Sequence, residues 1–261
     1  MSATLPRSRT PGGTAFHEAG RGEPLVLLHG VGMRLEAWAP QIRALAASHR
    51  VVAVDMPGHG ESARLRAGSQ LPDFVSWLAG FLDERGLGPV SIAGHSMGAL
   101  IAGGAAATLG DAVARVALVN GVYRRSAEAR AAVLARAEEI EKGAIDLTGP
   151  LRRWFSPSEA GSEACRLVKD WLASVDRAGY ATAYRAFAQG DETYADAWPR
   201  VRCPALFLTG SDDPNSTPDM SRAMAQAAPR GEAVVIEGHR HMVNLTAPDR
   251  VNAALAAWLK R

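Results

Sequence analysis

At 261 residues, 47% hydrophobic and 21% charged, the chain is long enough for one large globular domain with a substantial core plus an insertion, and short for two independent domains. Its 29 basic and 27 acidic side chains leave a formal net charge of +2, which gives no reason to expect a nucleic-acid or membrane-surface partner, since both need a concentrated basic field rather than a balanced surface. Cys165 and Cys203 stand far apart with no CxxC or His/Cys cluster, so they read as buried thiols of a reducing compartment rather than a disulfide or metal site. Residues 1–13 carry no secretory signal and no apolar run approaches about 20 residues, which points to a cytoplasmic protein with a small-molecule partner; nothing specifies an oligomeric state.

Short runs rich in Val, Ile and Leu recur at residues 25–28, 51–55, 90–93, 116–119, 205–209 and 234–236, and helical patterns at 35–47, 72–84, 97–109, 217–227 and 243–260 alternate with them. This rhythm predicts an α/β fold with a mostly parallel, buried sheet and helices on both faces. Residues 14–18, followed by turn-forming residues at 20–24, predict an antiparallel edge strand before the first parallel one. The rhythm breaks at 122–202, where helical periodicity at 127–142, 158–174 and 176–189 is punctuated by Pro150, Pro157, Gly161, Gly179 and Gly190. The expected organisation is therefore a core of residues 1–121 and 203–261 with an inserted helical cap at 122–202.

Directly after the run at 90–93 stands Gly94-His95-Ser96-Met97-Gly98, and a small-residue helix follows. A serine at the tip of so tight a strand-to-helix turn has a strained backbone, so the positions two before and two after it must be small. Its Oγ then projects clear of the sheet edge, and the helix N-terminus offers free N–H groups to an oxyanion. Met97 supplies the first such N–H. A glycine-rich turn also serves close packing alone; the strand before it and the helix after it favour the catalytic reading. Here the chain resembles the α/β-hydrolase family with its G-x-S-x-G nucleophile turn. That resemblance makes Ser96 the expected nucleophile.

Two loops extend the resemblance. His29-Gly30-Val31-Gly32 matches the family's HG motif, which implies a second oxyanion N–H from Val31; His29 itself reads as a hydrogen-bonded structural histidine. Asp55-Met56-Pro57-Gly58-His59-Gly60-Glu61-Ser62 matches the D-x-P-G-x-G-x-S loop and reads as structural, with Asp55 accepting backbone N–H bonds.

A serine hydroxyl needs a base, and the base needs an acid to hold its tautomer. The family order Ser, Asp, His selects Asp213 in Gly210-Ser211-Asp212-Asp213-Pro214, with Asp212 as the rival, and His241 in Gly238-His239-Arg240-His241-Met242, with His239 as the rival. The other position where relatives keep the acid, after the run at 116–119, holds Asn120 and Gly121. The glutamate often found two residues before the family's downstream proline is Thr246 here.

The expected mechanism is acyl transfer to Ser96 and hydrolysis of the acyl-enzyme, with no metal and no organic cofactor. The insertion holds most of the aromatic side chains, of which Trp154, Phe155, Trp171 and Tyr184 are candidates for the substrate pocket, and Arg124, Arg125, Arg152 and Arg153 are candidates for a substrate carboxylate. The primary expectation is a carboxylic ester or lactone of a small hydrophobic or aromatic substrate. The alternatives are carbon–carbon bond hydrolysis of a vinylogous diketone, whose known relatives often have Asn where this chain has His95, and cofactor-free perhydrolase or haloperoxidase chemistry. A ligand receptor on this fold is disfavoured by the complete Ser, Asp, His set.

Overall fold

The computed structural model describes residues 4–143 and 146–261; residues 1–3 of the N-terminal stretch and 144–145 of the expected insertion lie outside them. Strands β1 (Ser8–Arg9), β2 (Ala15–Ala19), β3 (Pro24–Leu28), β4 (Arg50–Val54), β5 (Val90–His95), β6 (Val113–Val119), β7 (Ala205–Gly210) and β8 (Gly231–Ile236) form one sheet in the order β1-β2-β4-β3-β5-β6-β7-β8. The β1–β2 and β2–β4 pairs are antiparallel and the others parallel. Helices α1 (Ala39–Leu45), α2 (Leu71–Arg85) and α3 (Met97–Thr108) fall between the early strands. Helices α4 (Ala127–Glu141), α5 (Thr148–Trp154), α6 (Glu163–Ser174) and α7 (Arg177–Gln189) all lie between β6 and β7; α8 (Pro218–Ala227), α9 (Val243–Thr246) and α10 (Pro248–Trp258) complete the chain.

Alternation along the strands divides the core in two. Leu25, Leu27, Val51 and Ala53 face Trp38, Ile42 and Trp258 on one side of the sheet. Val26, Leu28, Val52 and Val54 face Phe74, Leu78 and Ile101 on the other, in a cluster that continues into the helical insertion. Both faces are covered, which is why neither side of these strands is polar. Within the insertion, Ser162 and Asp176 cap α6 and α7, which bury Val168, Trp171 and Leu172 and Tyr180, Ala183, Tyr184 and Phe187 at helical spacing.

The elements differ from the sequence expectation at particular places. The pattern at 243–260 is two helices: Pro248 lacks an N–H and its ring excludes a continuous turn, so α9 stops and α10 starts with the proline in its first turn. The pattern at 35–47 opens as a 3-10 turn at Leu35–Trp38 before α1. Strand β1 and helix α5 have no counterpart in the reading; α5 is only seven residues long and contains Pro150. Cys165 is a buried and Cys203 a half-buried free thiol. No helix among the described residues is long and apolar enough to cross a membrane.

The N-terminal stretch is tied to the sheet by a buried ion cluster. Arg7 donates through Nε to Asp55 Oδ2 at 2.7 Å and through Nη1 and Nη2 to Glu36 at 2.7 Å each. Asp55 also accepts from the N–H groups of Leu35 and Glu61, so the carboxylate joins three chain segments. Burial opposes charge on Glu36, but Arg7 outweighs it and holds the carboxyl at about 2. A depressed carboxyl contributes stability that is complete above its unfolded value and is lost as pH falls through the folded one. Arg7→Gln is expected to lower unfolding free energy at neutral pH by about 3 kcal/mol. It should also flatten the fall in urea midpoint between pH 4.5 and about 2, the range of the Glu36 shift. A variant with the wild-type midpoint at all pH values would show that the cluster is not a tether.

Candidate active site

Ser96 sits between β5 and α3 with φ 54° and ψ −114°. Gly94 and Gly98 are required by contact: a Cβ on Gly94 would stand 2.0 Å from the Gly98 carbonyl oxygen, and one on Gly98 would stand 2.3 Å from that of Leu28. Absence of both side chains lets β3, β5 and α3 close on the turn, and Ser96 N–H donates to Val119 O at 2.9 Å. The hydroxyl thereby reaches the C-terminal edge of the sheet.

His241 and Asp213 meet it there. The Asp213 carboxylate can only accept, so His241 donates Nδ1–H to Asp213 Oδ2 at 2.7 Å and presents its Nε2 lone pair to Ser96 Oγ, 3.0 Å away. All three residues are buried. The rivals point elsewhere: Asp212 accepts from Ser211 Oγ, and His239 bonds Thr246 Oγ1 at 2.9 Å. Burial works against the Asp213 charge, yet His241, Asn215 N–H and the Asn120 amide hold its carboxyl below the usual range. Asn120 Nδ2 donates to Asp213 Oδ2 at 2.8 Å. From sequence Asn120 stands only where a carboxylate is missing; its position after β6, the alternative acid position, is the signal that points to this role.

Other histidines are accounted for by bonds. His29 Nε2 accepts Met56 N–H and His59 Nε2 accepts Gly32 N–H, both at 2.9 Å. His95 donates Nε2–H to the His241 carbonyl at 2.8 Å, and burial, followed by the proximity of a second imidazole at His241, lowers its pKa to about 3. It is therefore neutral and braces the backbone of His241. Gly30 brings the HG loop against Ser96, where a Cβ would come within 3.1 Å of the Ser96 Cβ. Neither Val31 N–H nor Met97 N–H has an acceptor within the hydrogen bonds of the described residues.

A cavity of about 380 Å³ opens over Ser96 and His241. Val31, Trp154 and Tyr184 line it; Phe155 and Trp171 do not. Phe155 follows α5 in extended backbone, which sends its side chain away from that of Trp154 and into a separate cleft beside Cys165. Trp171 lies on α6 against an outer cleft bordered by Glu36 and Arg43. Of the four arginines singled out from sequence, Arg124 pairs with Asp196 and Arg125 with Asp191, while Arg152 belongs to the Phe155 cleft. Arg153 lines the cavity, as does Arg125 from its pairing with Asp191, and so does Arg136, which stands in an Ala- and Glu-rich helix with no sequence signal of a role at the site.

The sequence profile of the alpha/beta hydrolase family matches residues 25–254. A protein of Acinetobacter baylyi, "(E)-2-((N-methylformamido)methylene)succinate hydrolase", is 54% identical over 245 residues, covering 94% of this chain and 93% of that one. Among solved structures, a thermophilic esterase from Thermogutta terrifontis superposes with a TM-score of 0.87 at 26% identity, covering 99% of this chain and 98% of that one. The enol-lactonase from Burkholderia xenovorans LB400 superposes with 0.86 at 27%, covering 98% and 100%.

The turn makes a sharp contrast between two glycines. Gly98→Ala drives a methyl into the Leu28 and His29 carbonyls and is expected to destabilise by about 2–3 kcal/mol in urea unfolding. Gly80→Ala, inside α2 with nothing within 4 Å of the new Cβ, should be neutral or stabilising by about 0.5–1 kcal/mol. Equal effects would mean that the Gly98 contact does not shape the turn.

Proposed function

The chain belongs to the α/β-hydrolase family, and from that premise we propose that it hydrolyses a small dicarboxylate carrying an acyl group on a conjugated leaving atom. The observation that carries the substrate class is the pair Arg136 and Arg153 in the wall of the cavity above Ser96. Among the described residues neither has a carboxylate within ion-pair distance, and no Asp or Glu lines that cavity. Burial, then the positive charge of Arg136, lowers the Arg153 guanidinium from its ordinary value. Asp146 stands near both and partly offsets their charge from outside the cavity lining, but the lining itself carries cations beside an apolar wall and no carboxylate, which favours an anion with a short carbon skeleton.

In this reading Ser96 Oγ attacks the acyl carbon, His241 Nε2 takes the hydroxyl proton, and Asp213 holds the imidazole in the required tautomer. The N–H groups of Val31 and Met97 bind the oxyanion. The tetrahedral centre then expels its leaving atom, which is protonated from His241, and a water attacks the acyl-Ser96 ester by the same path in reverse.

The ester or lactone expectation has neighbours named as an esterase and an enol-lactonase. The compound named for the 54% identical relative is neither: it is a succinate with a formyl group on a nitrogen attached to a carbon–carbon double bond. Expulsion of such a nitrogen is assisted because its electron pair spreads through the double bond onto a carboxylate. The vinylogous-diketone alternative needs the same feature, with carbon in place of nitrogen as the leaving atom. The conjugated reading is therefore favoured over a simple ester.

The test compares wild type, Ser96→Ala and Arg136→Gln/Arg153→Gln on an N-formyl enamine succinate, its dimethyl ester and a p-nitrophenyl ester. Wild type should prefer the diacid, and Ser96→Ala should lose all three activities. The double arginine variant should lose about a hundredfold in kcat/KM on the diacid and little on the neutral substrates. Equal turnover of diacid and dimethyl ester by wild type, or an unaffected arginine variant, would contradict the substrate class.

A further inference from the structure

Trp154 does more than close one side of the cavity. It is the last residue of α5, and its ring lies 5.8 Å from that of His241 with an interplanar angle of only 27°. Three hydrogen bonds fasten this end of α5 to the segment that carries the histidine. Arg240 Nη1 donates to the Arg152 carbonyl at 2.8 Å and the Phe155 carbonyl at 3.1 Å, and Met242 N–H donates to the Trp154 carbonyl at 3.4 Å. Arg240 and Met242 flank His241, so helix end and imidazole are parts of one bonded unit.

We propose that Trp154 is a positioning residue for His241, whose indole face fixes the plane of the imidazole and stabilises the imidazolium formed during acyl transfer. The proposal rests on the reading of His241 as the base. In that step the Ser96 O–H bond breaks, its oxygen pair forms the bond to the acyl carbon as the carbonyl π pair moves onto the carbonyl oxygen, and the proton passes to His241 Nε2. Nδ1 already bears hydrogen, so the ring becomes a cation lying against the face of an indole, an arrangement that is attractive.

The surrounding charges explain what such a face adds. Asp213 favours the cation from the Nδ1 side, and the neutral His95 ring stands 5.0 Å away. Across the cavity Arg136 and Arg153 disfavour it, and Arg125 is paired with Asp191. Arg240, on the same segment, is turned to the α5 carbonyls. Lowering the cation's energy with a further carboxylate would compete with the substrate for the two arginines. An aromatic face does the same work without adding a negative charge.

The experiment measures kcat, KM and the pH profile of kcat/KM for wild type, Trp154→Phe and Trp154→Leu, with fluorophosphonate labelling of Ser96. Trp154→Leu should lower kcat about tenfold and move the acid limb toward lower pH by up to about one unit, because the imidazolium loses its support. Trp154→Phe, which keeps an aromatic face, should fall between the two and guards against a Leu variant that fails to fold. An unmoved acid limb with a change in KM alone would reduce Trp154 to a wall and overturn the proposal. Failure of wild type to label at Ser96 would instead overturn the triad reading on which it rests.

Discussion

Ser96 is held at φ 54°, ψ −114°, a region that costs a residue with a side chain about 1–3 kcal/mol and persists only when its surroundings over-determine it. Those surroundings are backbone: Gly94 and Gly98 let the β3 carbonyls, the β5 end and the first turn of α3 pack within distances that no Cβ would permit. The same closeness places Gly30 beside Ser96, so that the loop after β3 and the turn after β5 are built as a single piece. Further out, Asp55 ties Leu35, Glu61 and Arg7 together behind that loop. The strain at one serine is therefore distributed over the central strands of the sheet.

Around this turn the charges are arranged by depth. Below Ser96, His29, His59 and His95 are consumed in hydrogen bonds, and burial lowers the readiness of each to take a proton. Among the described residues, His241 alone of the buried imidazoles directs a ring nitrogen at Ser96 Oγ while the other is bonded to a carboxylate. Above Ser96, the cavity wall from α4 and α5 carries Arg136 and Arg153, and no carboxylate among the described residues lines that cavity. In the proposed function these layers divide the work: the sheet edge supplies nucleophile and base, and the helical insertion supplies the field that selects an anionic substrate. Trp154 joins the layers, because it borders the cavity and stacks on His241.

Much of this could be read in the sequence because the relevant signals are local. The strands are short β-branched runs, and Ser96, Asp213 and His241 each follow one of them within a few residues, so order along the chain places them on one sheet edge. Signals that depend on tertiary contact were not legible. Arg136 looks like any solvated cation of an Ala- and Glu-rich helix until α4, packed on α7, lines the same cavity as the end of α5. The seven-residue α5, with Pro150 inside it, carries too little periodicity to register, yet it brings Trp154 to the site. Phe155 and Trp171 share the composition of Trp154 and Tyr184 but leave the backbone in other directions. Asn120 took its meaning from a missing carboxylate, and only the fold shows that its amide donates to Asp213 instead.

The account turns on a covalent bond between Ser96 and the acyl group of the substrate. Rapid acid quench during turnover of an N-formyl enamine succinate, followed by mass spectrometry of the peptide containing residue 96, observes that bond directly. The account predicts a formyl increment on Ser96 within the first turnover and none in Ser96→Ala, which should be inactive. Undiminished turnover by Ser96→Ala, or an acyl increment on a different residue, would contradict it.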